Sequence, residues 1–241
     1  MGITQRSIAR RGAADDRANA LVPYPRVVRT PGDSGISVSV AHTLAERRRA
    51  SALIELQYTS RGYCVSGGWT ASASEVTLIA AEAGLTVGTL TLRLDGPGGL
   101  RADESYGVQI DAVRATGKRV CEFGRFAVAA DARSIPVLAA LFAQGRALVR
   151  ELRGITDVFI EVNPRHAAFY RKLFGFAVAG RGRICPRVRA PSVLMRLDVA
   201  AFERRLSAGR EHAAAWASRL IRSASAGSPQ GTSQGSRPIA A

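Results

Sequence analysis

The chain has little lysine, little cysteine, few aromatic residues and no long apolar run. Of 34 basic residues two are lysine, Lys118 and Lys172; the rest are arginine, against 19 acidic residues, and the net charge is +15 over 241 residues. An arginine preference this uniform reflects codon usage as much as chemistry. The charge is therefore not by itself the footprint of a nucleic acid, although it keeps an acidic partner in view. Aromatic residues make up 6%. No basic–aromatic interleaving and no nucleic-acid reading motif occur, so a basic nucleic-acid-binding protein stands as the non-enzymatic alternative, supported by its tails alone. Cys64, Cys121 and Cys185 lie far apart. That spacing excludes a disulfide scaffold, offers no zinc or other metal site, and suits a reduced, cytoplasmic setting. No run of about 18 apolar residues exists, which excludes a transmembrane helix. The opening MGITQRSIARRGAADDR lacks the apolar stretch of a secretory signal.

What is there suffices for a core. Apolar residues are 46% and charged residues 22%, the balance of a globular chain. Residues 1–41 are expected to form a flexible arm, punctuated by Pro23, Pro25, Pro31, Gly32 and Gly35. Residues 224–241, ASAGSPQGTSQGSRPIAA, are expected to be a disordered tail. Residues 42–202 form one expected domain, and 203–223 a C-terminal helix.

Leu44, Leu53, Ile54 and Tyr58 share a stripe that predicts a helix from about Leu44 to Gln57, with Arg47, Arg48 and Arg49 outside it. Val76, Leu78 and Ala80 alternate with Glu75, Thr77 and Ile79. Glu82-Ala83-Gly84 turns, and Leu85 to Leu94 returns, which predicts a β-hairpin. Tyr106, Ile110 and Val113 predict a short helix over about 103–115, ended before Gly117. RVCEFGRFAV, residues 119–128, predicts a strand. Ser134-Ile135-Pro136 opens a helix that buries Leu138, Leu141, Phe142, Leu148 and Val149 and stops at Gly154. Asp157 to Val162 predicts another strand, and Asn163-Pro164 opens a helix with Phe169, Tyr170, Leu173 and Phe174 on its core face. After Gly175 a strand begins at Phe176, an Arg/Gly loop is expected at 180–190, and Ser192 to Val199 is the last strand. The order predicts a mixed α/β fold with a central sheet of about six or seven strands flanked by helices.

Two stretches carry a resemblance. Asn163-Pro164-Arg165-His166-Ala167-Ala168-Phe169-Tyr170-Arg171-Lys172-Leu173-Phe174-Gly175-Phe176 resembles the GNAT acyltransferase superfamily, where a strand ends, a helix carries a tyrosine, and Gly-Phe leads into the next strand. Cys121-Glu122-Phe123-Gly124-Arg125-Phe126 resembles the Glu-x-x-Arg-Phe strand of the acyl-homoserine-lactone autoinducer synthases and of the long-chain N-acyl amino acid synthases. Together with Asn-Pro-Arg-His it is most similar to the second group, of the N-acyltyrosine synthase type. The likeness covers about residues 44–200. It implies a GNAT-like fold and transfer of a long-chain fatty acyl group to the α-amine of an amino acid, with no metal or redox cofactor. An autoinducer synthase using S-adenosylmethionine and a CoA-dependent acetyltransferase are the alternatives. Acetyl-CoA-using members resemble one another in an Arg/Gln-x-x-Gly-x-Gly/Ala loop whose N–H groups bind pyrophosphate at a helix N-terminus. Here Ala129-Ala130-Asp131-Ala132-Arg133-Ser134-Ile135-Pro136 has no glycine, an aspartate at the anion site, and a proline without an N–H. The expected donor is therefore the phosphopantetheine thioester of an acyl carrier protein (ACP), a single-phosphate carrier with an acidic surface.

An acid inside an apolar strand needs a reason. Glu122 is either the base that takes the amine proton or the structural ion-pair partner of Arg125 or another arginine. Strand alternation sets residues 122 and 125 on opposite faces unless a bulge at Gly124 restores them to one side. Arg125 either orients Glu122 or holds the acceptor carboxylate bidentately, and its other reading is a plain salt bridge. Tyr170 stands where the resemblance implies a tyrosine that protonates the leaving thiolate; a core role is its other reading. Arg165, His166 and Phe126 are expected to contact substrate or the phosphopantetheine arm, against a solvated charge for Arg165 and a capping or core role for His166. Arg181, Arg183, Arg187 and Arg189 are expected to dock ACP, as are Arg47, Arg48 and Arg49, or else form solvated faces. Cys121 is read as a small buried hydrophobe, as are Cys64 and Cys185.

Overall fold

A two-residue turn closes the first hairpin. Ala83 and Gly84 have φ of 49° and 80°, the left-handed pair that joins antiparallel strands with matching twist. The hairpin pairs β3 (Glu75–Glu82) with β4 (Leu85–Leu94), as the alternation predicts. The structure, a computed structural model, describes residues 28–29, 35–63, 74–132, 134–152 and 154–208. Around the hairpin, β1 (Val28–Arg29), β2 (Ile36–Val40), β5 (Val120–Val128), β6 (Asp157–Val162), β7 (Ala177–Cys185) and β8 (Ala190–Asp198) complete an eight-stranded sheet in the order β1-β2-β3-β4-β5-β6-β8-β7. Neighbours are antiparallel except β5 and β6, which run parallel. This is the expected mixed sheet, with one strand more than the range predicted and that strand only two residues long.

The helices are α1 (Leu44–Thr59), α2 (Asp103–Arg114), α3 (Ser134–Glu151), α4 (Pro164–Phe174) and α5 (Val199–Ala208). Thr43 starts α1 with a capping box to Glu46. Asn163 caps α4 through its side chain, and Gly175, at φ 77°, ends it. Ala50 and Leu53 of α1 pack on Ile79 and Ala127, and Tyr106 and Ile110 of α2 pack with Phe159 and Leu194. These two helices cover one face. On the other, Leu138, Leu141 and Phe142 of α3 and Tyr170 and Phe174 of α4 close over Leu78, Leu90, Leu92 and Phe123.

Four expectations are corrected. The arm expected over residues 1–41 does not extend that far, because Ile36, Val38 and Val40 are buried on β2 and pair with β3. The 180–190 loop is in fact β7 as far as Cys185, followed by a short turn into β8, so Arg181 and Arg183 lie on a strand. The last helix begins at Val199, not 203. Leu44 is 64% exposed and outside the α1 stripe, because the capping box places it in the first turn, clear of the sheet. The remainder of the arm, the helix beyond Ala208, the 224–241 tail and Cys64 lie outside the described residues.

The feature that positions the site is a bulge. Thr91 pairs with Gly124 but Thr89 pairs with Ala127, so β5 carries one extra residue opposite Leu90, and Arg125 there has φ 49°. Before the bulge Cys121 and Phe123 face α3; after it Val128 does, while Ala127 faces α1. The parity switch brings Glu122 and Arg125 to the α1/α2 face together.

Candidate active site

The parallel pairing of β5 and β6 extends from Val120↔Asp157 to Phe123↔Ile160 and no further. Beyond it the strands diverge, and a cavity of about 600 Å³ opens between them. One end is polar and on the α1/α2 face, with Arg101, Glu122, Arg125, Glu161 and Arg187. The other is apolar and reaches the α3/α4 face, with Leu90, Phe123, Leu138, Phe142, Phe169 and Tyr170. Ser134 and Ile135 bring the start of α3 to the wall, so the stretch without glycine does border the site.

Glu122 is 3% exposed. Its Oε2 accepts the backbone N–H groups of Arg101 (2.6 Å) and Ala102 (3.1 Å). Those groups immediately precede the first turn of α2, so the carboxylate sits at the positive N-terminal end of that helix. Among the described residues nothing donates to Oε1, which lies on the side of Gly124. Burial pushes the carboxyl up to about 7, although the two N–H bonds and Arg187 oppose it. Glu122 is thus a positioned carboxylate that titrates near neutrality and borders a cavity.

Arg125 does not pair with Glu122. Its Nη1 donates to Glu75 Oε2 at 2.9 Å. Glu75 Oε1 accepts from Arg93 Nη1 (2.9 Å) and from Arg101 Nε and Nη2 (2.9 and 2.7 Å). That alternative fails because β3, three elements earlier in the chain, places a carboxylate under the guanidinium. Burial favours protonation of Glu75, but Arg125 and Arg101 outweigh it and hold the carboxyl below its ordinary value. Burial, then the neighbouring Arg101, lowers Arg125 to about 10. Arg101 and Arg125 both line the cavity, so three arginines on one carboxylate leave a positive wall there.

Arg187 is half-buried and engaged by several partners. Its Nη1 donates to the Arg101 carbonyl and, at 3.1 Å, to Glu104; its Nη2 donates to Glu161. Glu161 also accepts the Ser192 hydroxyl at 2.7 Å, and Tyr106 donates to the Ser192 carbonyl at 2.9 Å. Arg183 is exposed and stands 5.6 Å from the Tyr106 ring centroid. Arg181 and Arg189 are exposed, as are Arg47, Arg48 and Arg49.

Tyr170 lines the apolar half, in an aromatic cluster with Phe142, Phe174 and Phe176. Burial raises its phenol well above the ordinary value, so it is a neutral donor. Its hydroxyl makes no hydrogen bond among the described residues, and both readings of it survive: it is core on one side and cavity wall on the other. Phe126 lines the cavity and meets Phe142 edge-on at 6.3 Å. Arg165 and His166 lie at the mouth, exposed. Arg165 donates to His166 Nε2 at 3.1 Å and to the Tyr63 hydroxyl at 3.4 Å. Burial and then Arg165 lower the imidazole below its ordinary value. His166 is therefore not a core histidine. Cys121 is fully buried on the α3 face, away from Glu122; Cys185 is buried and borders the cavity.

Sequence reasoning missed Glu75, Arg101 and Glu161. Glu75 reads as one polar position of an alternating strand, and Arg101 as a loop cation. Only the sheet order brings them together. Among the described residues no group of histidine, cysteine and carboxylate side chains is placed to hold a metal, and no helix is long and apolar enough to cross a membrane.

A mixed sheet with β5 and β6 splayed around a cavity defines a GNAT-like acyltransferase fold. The family model of the N-acyl amino acid synthase FeeM matches residues 49–198, and the chain belongs to that family. The solved structure of FeeM, an N-acyl amino acid synthase from uncultured soil microbes, is similar at TM-score 0.63 and 26% identity, covering 69% of this chain and 92% of that one. The fold is shared by a protein from Lactobacillus plantarum assigned to the N-acetyltransferases (TM-score 0.52, 18% identity, 68% of this chain and 99% of that one). It is shared too by Escherichia coli ElaA (0.52, 12%, 68% and 99%). A search of curated proteins finds no match. The chain is an N-acyltransferase.

Proposed function

We propose that the protein joins a long-chain fatty acyl group, delivered as the thioester of ACP, to the α-amine of an amino acid. The observation that carries this reading is Glu122: a buried carboxylate near neutral pKa, held by two N–H groups on one oxygen and open on the other, at the junction of a polar and an apolar half-cavity. Oε1 takes the proton as the amine attacks the thioester carbonyl, work suited to a base whose pKa lies near the working pH. Arg125, with Arg101 beside it, holds the acceptor carboxylate on the positive wall. The acyl chain lies along Phe123, Phe142 and Phe169. Tyr170, a neutral phenol, protonates the departing pantetheine thiolate. Arg165, His166 and Phe126 border the pantetheine arm, and Arg181 and Arg189 meet acidic groups of ACP. No metal or redox cofactor takes part, and the setting is cytoplasmic, where acyl-ACP is made.

Donor choice follows from the Ala129–Pro136 stretch at the start of α3. Without glycine, and with Asp131 and Pro136 present, it is a poor cradle for a diphosphate. Purified protein is incubated with an amino acid mixture and either long-chain acyl-ACP or acetyl-CoA, and products are read by mass spectrometry. N-acyl amino acids from acyl-ACP are expected. Efficient turnover of acetyl-CoA with none of acyl-ACP would overturn the reading.

A further inference from the structure

Residues 100–102 are gripped from two sides. Their N–H groups at Arg101 and Ala102 point to Glu122, and the Arg101 carbonyl accepts from Arg187. Arg187 sits on the turn between β7 and β8, and its second terminal nitrogen donates to Glu161 on β6. Glu161, whose side chain is 5% exposed, is fixed in turn by Ser192 on β8. A guanidinium reaches both targets at once because its terminal nitrogens are held in one rigid plane.

We propose that Arg187 is the positioning residue for Glu122: by binding the Arg101 carbonyl and the Glu161 carboxylate together, it fixes the segment whose N–H groups aim the Glu122 carboxylate at the cavity. This rests on Glu122 being the base. It gives Arg187 a part in the reaction in place of donor docking.

The surrounding charges give the role a signature. Arg187 favours the ionised form of Glu122 and Glu161 disfavours it. Arg93 on β4 pairs in register with Glu122, and Arg125 follows on β5. Tyr58 from α1, Cys185 from β7, and His166 and Tyr170 from α4 line the same cavity. Removing Arg187 takes away one favourable charge and leaves Glu161 uncompensated, so the Glu122 midpoint rises. Loss of an opposite charge at close range moves a carboxyl by about one unit or more.

The test measures kcat and KM across pH for the wild type, Arg187→Lys, Arg187→Gln and Arg187→Gln/Glu161→Gln. Alongside, the carboxyl carbon of Glu122 is titrated by NMR in ¹³C-labelled protein, assigned with Glu122→Gln. Arg187→Gln is expected to lower kcat at least tenfold and to move the Glu122 midpoint upward. Arg187→Lys keeps the charge but cannot span both partners, so kcat falls while the midpoint stays near wild type. The double variant leaves no unpaired buried carboxylate and folds. Its midpoint returns towards wild type while kcat stays low, because the Arg101 carbonyl is still unheld. Wild-type kcat and midpoint in both single variants would overturn the proposal. So would full rescue of kcat in the double variant, or an effect confined to KM for acyl-ACP. If the wild type makes no N-acyl amino acid from any donor, the functional reading fails, while the Glu122 titration still decides whether Arg187 controls that carboxylate.

Discussion

Glu75 and Glu122 stand on the same face of the sheet, two strands apart, with Arg93 of β4 in register with both. Each side chain is nearly sealed from solvent, at 3% exposure for Glu75 and 3% for the whole Glu122 residue. Their chemistry is opposite. Glu75 takes four N–H bonds from three arginines and is held as a carboxylate. Glu122 takes two backbone N–H bonds on one oxygen and is pushed up to about 7. Two solvent-shielded carboxylates thus give a structural anion in one place and, where the residue lies deeper, a titrating acid in the other. Depth and partners decide it together: at Glu75 full guanidinium charges repay a partial desolvation, whereas at the deeper Glu122 two amide dipoles repay only part of a larger one.

The comparison breaks most visibly at Glu122. Glu122→Gln keeps the shape and removes the base, so kcat falls by about 10²–10⁴-fold, the usual range for lost proton transfer. The melting temperature holds or rises, because a neutral amide is cheaper to bury. A folded Glu122→Gln protein with wild-type turnover removes Glu122 from the mechanism. Glu75→Gln inverts the pattern. It strips the shared anion from three arginines whose side chains are 11–26% exposed. Stability falls by about 3 kcal/mol, the low end for breaking a buried pair because these cations keep some solvent. Chemical denaturation reads the loss. A Glu75→Gln protein as stable as wild type means that solvent, not Glu75, balances the cluster.

The pH dependence sharpens the contrast. Glu122 has a folded value near 7 against an ordinary 4.5. The folded state therefore binds its proton more tightly than the unfolded chain, and stability from this group falls as pH rises from about 4.5 through 7. Glu75 is shifted down, so its contribution is present above its ordinary value and is lost as pH falls through the lower folded one. Between pH 5 and 8 the Glu122→Gln protein should gain on wild type by up to about 3 kcal/mol, while the deficit of Glu75→Gln stays flat. Activity per folded molecule rises over the same interval as Glu122 ionises. Parallel stability curves for wild type and Glu122→Gln would show that Glu122 titrates as an ordinary carboxylate.

Local signals in the sequence account for much of the fold. Asn163-Pro164 and Gly175 bound α4, Tyr106, Ile110 and Val113 mark the buried face of α2, and Ala83-Gly84 closes the hairpin. Each is decided within a few residues. The ISVSV run of β2 alternates as plainly, but the prolines and glycines just before it mask it, and only pairing with β3 makes it a strand. The site divides the same way. Glu122 was visible as an acid among apolar neighbours, and the bulge could be anticipated from Gly124, although the left-handed residue is Arg125. The partners were not visible. Glu75 lies 50 residues from Arg125, and Glu161 lies 26 from Arg187. Their meeting depends on strand order, and for Arg187 on the register shifts between β7 and β8.

The smallest effect separates Arg187 from the arginines around it. Arg181 and Arg189 are exposed and meet solvent, whereas the Arg187 side chain is 27% exposed and engaged on three sides. Charges on a rim act on encounter: they speed association with an oppositely charged partner and are screened by salt. Reversing both, in Arg181→Glu/Arg189→Glu, should raise KM for acyl-ACP several-fold at low ionic strength and leave kcat near wild type. The melting temperature should hold, since neither side chain is buried. Salt should erase the difference, because at about 0.15 M the Debye length falls to about 8 Å. KM unchanged at low salt means the two residues are a solvated face, and donor recognition then falls to the cavity mouth at Arg165 and His166. A drop in kcat instead would mean that the edge strand is coupled to the turn that carries Arg187, and that the division between rim and cavity drawn from exposure does not hold.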